Sequence, residues 1–252
     1  MYNSLSDLER GKRECFPEIF KKLKEIVMHI EAGVVDGAKM ILSYGTATAL
    51  FGATAKAVWD NVKENGFVSF ILKTLIATVI VFSCFEVLPH YPIGISEVHL
   101  ILGTTIFLVF GLAPAAVALA LGLAVQGLFF AQFDLPQYGI NVTTLLASMF
   151  ALSYAAKRVI PEGIAYKDIS YSQLLKLSVV WEGSIVSWVA FWAFYGQGFG
   201  AENLQNVLTF GAAYMSVIII EPVVDVAVLA AVKAYTKTKE CAYLFDKQLC
   251  RA

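Results

Sequence analysis

Long apolar runs separated by short polar breaks dominate this chain, and the runs have membrane length. A helix needs about 20 mostly apolar residues to cross a bilayer. Seven stretches approach that length, at residues 37–59, 67–87, 98–112, 113–130, 142–159, 174–195 and 207–235. The third and fourth form one continuous apolar run. Gly111-Leu112-Ala113-Pro114 divides it, because proline fits the first turn of a new helix. The pattern predicts an all-α, polytopic membrane protein of about seven transmembrane helices.

The polar breaks orient those spans. Lys56 and Lys63 sit at the first connection, Lys157, Arg158 and Lys167 at the fifth, and Lys233, Lys237, Lys239, Lys247 and Arg251 follow the last span. The second, fourth and sixth connections carry no Lys or Arg. Positive charge therefore alternates by side, and the cytoplasmic side is the basic one. This puts the amino end of the first span outside and the carboxyl terminus in the cytoplasm. The expected location is the inner (plasma) membrane, crossed many times.

Composition agrees and excludes other classes. The chain is 58% hydrophobic and 15% charged, with mean hydropathy +0.67, a membrane composition. A net charge of -1 gives no basis for nucleic-acid binding. Cys15, Cys84, Cys241 and Cys250 have no metal-site spacing. No phosphate-binding loop and no nucleophile elbow is present. The chain is expected not to be an enzyme, and any ATP hydrolysis belongs to other subunits.

Residues 1–27 break the charge rule. Arg10, Lys12, Arg13, Lys21, Lys22 and Lys24 would lie outside, and no long apolar core marks a secretory signal. One reading is a weakly amphipathic surface helix built on Leu23 and Ile26. The other is an extension that is not translated or is removed. Lys24-Glu25 can be encoded AAG-GAG, a ribosome-binding sequence placed two codons before the Met28 codon. The expected organisation is an amino-terminal extension at 1–27, a transmembrane domain at 28–237 and a cytoplasmic tail at 238–252.

A start at Met28 would create chemistry. In Met28-His29-Ile30 a free amine, the amide nitrogen of His29 and its imidazole close a five-membered and a six-membered chelate ring. A fourth nitrogen completes a square, the geometry that suits Ni(II) or Cu(II). His99 is the candidate fourth. Glu31 and Glu97 are near these positions, and Glu86 is similar; such carboxylates orient metal-bound imidazoles or attract cations. His90 reads as a loop or pocket-rim residue rather than a ligand. Gln126, Asp134, Asn141, Thr143 and Thr144 flank the fourth connection, where their polar groups need partners and would pin the loop over a pocket. Glu182, Glu221 and Asp225 lie within the last two spans and read as a buried polar network or partner contact.

Four stretches resemble the CbiM/NikM proteins, the substrate-capturing membrane subunits of energy-coupling factor (ABC-type) transporters for cobalt and nickel. They are Met28-His29-Ile30-Glu31-Ala32-Gly33, the run from Gly94 to Gly103, Gln126-Gly127-Leu128-Phe129-Phe130, and the run from Phe133 to Thr144. The resemblance spans residues 28–237. It implies seven helices, an outside amino terminus, and Co(II) or Ni(II) held by the Met28 amine, His29 and His99, with no resident cofactor. It also implies a transmembrane coupling subunit, ATPase subunits and a small accessory membrane subunit as partners, and supply of cobalt for cobalamin synthesis or nickel for nickel enzymes. With residues 1–27 attached, the Met28 nitrogen is an amide and this site cannot form as described. The run from Phe133 to Thr144 looks closer to the cobalt branch.

Gly45, Ala49, Ala53 and Ala57 recur every fourth residue and make a small-residue stripe for close helix approach, within the subunit or against the coupling subunit. Ala116, Ala120 and Ala124 form a second ladder. Two rivals remain at this level: a metal-binding membrane scaffold or sensor without transport, and an intramembrane enzyme. The second would need a pair such as Glu97 and His99, which two-residue spacing sends to different helix faces.

Overall fold

The computed structural model describes residues 30, 33–236 and 244–249. Eight α-helices carry the architecture: α1 Met40–Asn65, α2 Phe67–Phe82, α3 Gly103–Phe110, α4 Leu112–Phe129, α5 Tyr138–Val159, α6 Tyr171–Gln197, α7 Ala201–Met215 and α8 Glu221–Thr236. Among the described residues, five stretches are long and apolar enough to cross a membrane: Phe67–Val87, Leu112–Phe129, Gln132–Val159, Tyr171–Gln197 and Ala201–Tyr235. The chain is thus a helical, multi-pass membrane protein. Helix α1 has the length, at about 39 Å, but is interrupted by Gly45, Thr46, Thr48 and Lys56.

The third predicted span is not a continuous helix. A hairpin of β1 Tyr91–Ile93 and β2 Ser96–Val98 precedes it, paired antiparallel with Pro92 opposite Glu97. Residues 99–102 are non-helical, and α3 is only eight residues long, about 12 Å. A uniformly apolar run has no period that separates buried helix from buried irregular chain. Irregular backbone in an apolar run needs enclosure by protein; His99 and Ile101 are buried, Leu100 and Leu102 half-buried, and every residue of α3 is buried. The division from α4 falls at Gly111, whose φ of 85° suits glycine, and Pro114 lies in the first turn of α4.

The last predicted span also divides. A 3-10 turn at Ser216–Ile219 separates α7 from α8. Helix α2 packs along α4, α5 against α1, α4 and α6, and α6 against α7. Trp181, Trp192, Tyr214 and Phe210 fill the centre and are almost wholly buried. Beyond the bundle, residues 244–249 fold back: Asp246 N–H donates to the Val109 carbonyl at 2.8 Å and Tyr166 N–H to the Gln248 carbonyl at 2.9 Å.

Candidate metal centre

A small cavity of about 30 Å³ lies where the amino-terminal arm meets the bundle, lined by Ile30, Glu97, His99, Asn141 and Tyr214 among others. Its walls come from distant parts of the sequence. The hairpin brings Ser96, Glu97 and, just beyond β2, His99. The first two turns of α5 bring Asn141 and Thr144, α6 brings Ile185 and Val189, and α7 brings Phe210 and Tyr214.

The arm is fixed from both sides. Ile30 is 1% exposed, and its N–H faces Asn141 Oδ1 at 3.4 Å. Val34 and Val35 are buried; Gln137 Nε2 donates to the Val35 carbonyl at 3.3 Å. Lys39 Nζ donates to the Gly196 carbonyl at 2.7 Å, which ties the end of the arm to the last turn of α6.

His99 is 6% exposed. Its ring meets Phe85 edge-on, with centroids 5.4 Å apart. Phe85 belongs to a wide π turn, Ser83–Val87, that ends α2; such turns re-aim side chains and recur at functional sites. Glu97 is 2% exposed in the same wall.

The structure places the other sequence candidates as follows. Met28, His29 and Glu31 lie outside the described residues. His90 is half-buried, bonded through Nδ1 to the Leu88 carbonyl at 3.0 Å, and does not line the cavity. Thr143 turns away from it, donating to the Gly139 carbonyl and meeting Thr46 Oγ1 at 2.9 Å; Thr144 takes the wall position instead. Gln126 reaches the Phe85 carbonyl and Glu86, bracing the π turn. Asp134 is buried in the loop between α4 and α5. Among the described residues no group of three or more His, Cys, Asp and Glu side chains is arranged to hold a metal. His99 is therefore the one His, with Glu97 the one carboxylate, that this cavity offers from the described part of the chain.

Sequence reasoning missed Ile30, Ile185, Val189, Phe210 and Tyr214 as cavity walls. They are ordinary apolar positions, and only their convergence distinguishes them.

Of the two small-residue ladders, one faces outward. Gly45, Ala49 and Ala53 are exposed and Ala57 is half-buried. Ala116 and Ala120 are buried and Ala124 half-buried, so that ladder packs inside the bundle. Ala53 and Ala57 also border a larger hollow of about 690 Å³ at the opposite end, with Lys56, Asp60, Tyr166 and Asp246 on its rim. There burial pushes the Tyr166 phenol up to about 12, with the Asp246 charge adding to it.

A family model described as the cobalt uptake substrate-specific transmembrane region, CbiM, matches residues 29–238. No curated protein and no solved structure matches the chain.

Proposed function

Because the chain belongs to the CbiM family of cobalt-uptake transmembrane regions, we propose that it is the metal-capturing membrane subunit of an energy-coupling factor importer for Co(II) or Ni(II). The observation that carries this reading is the cavity beside Ile30, with His99 buried in its wall and Asn141 facing the Ile30 amide. Consecutive Cα atoms are about 3.8 Å apart. Two residues before Ile30 therefore lie within covalent reach of His99's cavity. The metal is held by the Met28 amine, the His29 amide nitrogen and imidazole, and the His99 imidazole. Glu97, and Glu31 beyond the described residues, orient imidazoles or draw the cation in.

Four nitrogen donors select late first-row divalent ions. Each must shed or lack a proton to bind, so affinity falls on acidification. The working chain begins at Met28, whose nitrogen is then an amine. Seven crossings place that end outside. The third crossing is composite, with 99–102 non-helical and α3 completing it. Residues 238–252 lie in the cytoplasm, and the membrane is the plasma membrane.

Energy comes from separate ATPase subunits through a transmembrane coupling subunit, with a small accessory membrane subunit alongside. The face formed by exposed Gly45, Ala49 and Ala53 and half-buried Ala57 is the docking face for the coupling subunit. Cobalt taken up this way feeds cobalamin synthesis.

The test is a titration of nickel and cobalt into purified protein beginning at Met28, with the 252-residue chain as control. One-to-one binding in the shorter form alone establishes the amine as a ligand. Equal binding in both, or none in either, removes the terminal chelate. Uptake of labelled cobalt with and without the ATPase partners then separates transport from a metal-binding scaffold.

A further inference from the structure

The short helix α3 begins inside the bundle, and its cap comes from another helix. The first backbone amides of any helix lack intrahelical partners. In α3 these belong to Gly103, Thr104 and Thr105, since Ile106 N–H already reaches the Leu102 carbonyl at 2.9 Å. The N-cap residue, Leu102, supplies no side-chain hydrogen bond. Two carboxylates one turn apart on α8 stand in for it. Asp225 accepts the Thr105 hydroxyl and faces the Thr105 amide, and Ser178 Oγ donates to its other oxygen at 3.4 Å. Glu221 faces the Gly103 and Thr104 amides, although neither of its oxygens reaches hydrogen-bonding geometry. Both carboxyl groups are fully buried, and their oxygens lie at the end of the helix that is short of acceptors.

This clamp bears on the metal pocket. Only Leu100, Ile101 and Leu102 separate His99 from Gly103. Ile101 lines the cavity with His99. Leu102 has φ 58°, the single non-glycine positive φ among the described residues, a conformation that persists only when its surroundings enforce it. Trp181 presses on the other side of the same junction, so close to Gly103 that a methyl group there would collide with the indole. The start of α3 is therefore held between α8 and Trp181, and the chain carrying His99 is suspended from it.

We propose that Asp225 and Glu221 are positioning residues for metal capture: by anchoring the start of α3 they set the depth and orientation of the His99 imidazole. The inference rests on the reading of His99 as a ligand. It assigns the buried acidic residues of α8 a role in the pocket above them without placing them on the metal.

The experiment uses Ni(II) alone, with whichever form binds it, the 252-residue chain or the one beginning at Met28. Square-planar nickel on four nitrogens has a ligand-field absorption band that moves to longer wavelength when one nitrogen is replaced by water. His99→Ala defines the three-nitrogen spectrum. Asp225→Ala is expected to move the band toward that of His99→Ala and to weaken nickel binding by about tenfold or more, as loss of an outer-shell support does. Asp225→Asn, which keeps an acceptor for Thr105, is expected to restore most of both. Thr105→Val, which preserves shape, and Glu221→Leu, which removes both carboxylate oxygens, are expected to shift the band in the same direction and carry the test if Asp225→Ala does not fold. A wild-type band and affinity in all of these, alongside a shifted His99→Ala, overturns the positioning role and leaves His99 as ligand. An unshifted His99→Ala overturns both.

Discussion

The backbone N–H of Ile30 faces the side-chain oxygen of Asn141 at 3.4 Å, a contact between residues 111 apart in sequence. Both groups are buried, so each answers the other's need for a partner. Replacing Asn141 by Leu keeps the volume and removes the acceptor. A buried amide left unsatisfied costs about 1–3 kcal/mol, charged here to the arm rather than to the bundle. Nickel affinity should fall about tenfold, with the thermal melt in detergent nearly unchanged. Wild-type affinity in a titration of Asn141→Leu would show that this contact does not seat the arm.

Gly196 makes the second contact with the arm. A Cβ there would collide with the Val34 carbonyl, and the Gly196 carbonyl receives Lys39 Nζ at 2.7 Å. The last turn of α6 therefore admits the arm only because residue 196 lacks a side chain. Gly196→Ala must displace residues 33–36 or bend the helix end, and overpacking of this kind costs about 1–3 kcal/mol. The expected outcome is weaker metal binding together with a lower melting temperature, the second effect separating it from Asn141→Leu. Lys39→Met, which removes the tether and leaves the space, should lower affinity less.

The apolar membrane-length helices were legible because bilayer length is a one-dimensional signal. So was the division at Gly111, which glycine and proline mark together. The hairpin and the short α3 that replace a continuous third helix were not, since Leu100 to Phe110 reads as unbroken apolar sequence apart from Thr104 and Thr105. Those two threonines were the available signal, and the partner of Thr105, Asp225, lies 120 residues away. In sequence Thr143 reads as the pocket residue, whereas Thr144 lines the cavity. The rotation of α5 decides between them, and it depends on how Thr143 meets Thr46 on α1. The two ladders of small residues read identically as well; burial separates them, because α4 sits against α2 and α5 while one face of α1 is exposed among the described residues.

Asp246 gives the folded-back segment at 244–249 a pH dependence. Burial raises its carboxyl above the ordinary range, although the Gln248 amide and the nearby Lys73 pull it partly back. The docked carboxyl thus holds its proton more tightly than the undocked one. Its contribution to docking is complete below the ordinary carboxylate value, about 3.9, and is lost as pH rises from there through the raised value. Hydrogen exchange of residues 244–249 should be slowest, corrected for intrinsic rate, near that lower limit and should speed up toward neutrality. Asp246→Asn should flatten the profile. Protection that increases with pH would show that pairing with Lys73 outweighs burial.

The outward ladder on α1 distinguishes a docking face from a lipid face. Gly45, Ala49 and Ala53 are exposed, and lipid would accept leucine at any of them. A partner helix packed closely on small residues would not. Ala49→Leu is therefore expected to leave nickel affinity and the melting temperature unchanged. It should cut both copurification with the coupling subunit and cobalt uptake by about tenfold, equivalent to roughly 1.4 kcal/mol of association. Ala116→Leu, on the buried ladder, should instead lower the melting temperature. Uptake that survives Ala49→Leu and Ala53→Leu together would mean that this face meets only lipid, and that the coupling subunit docks elsewhere.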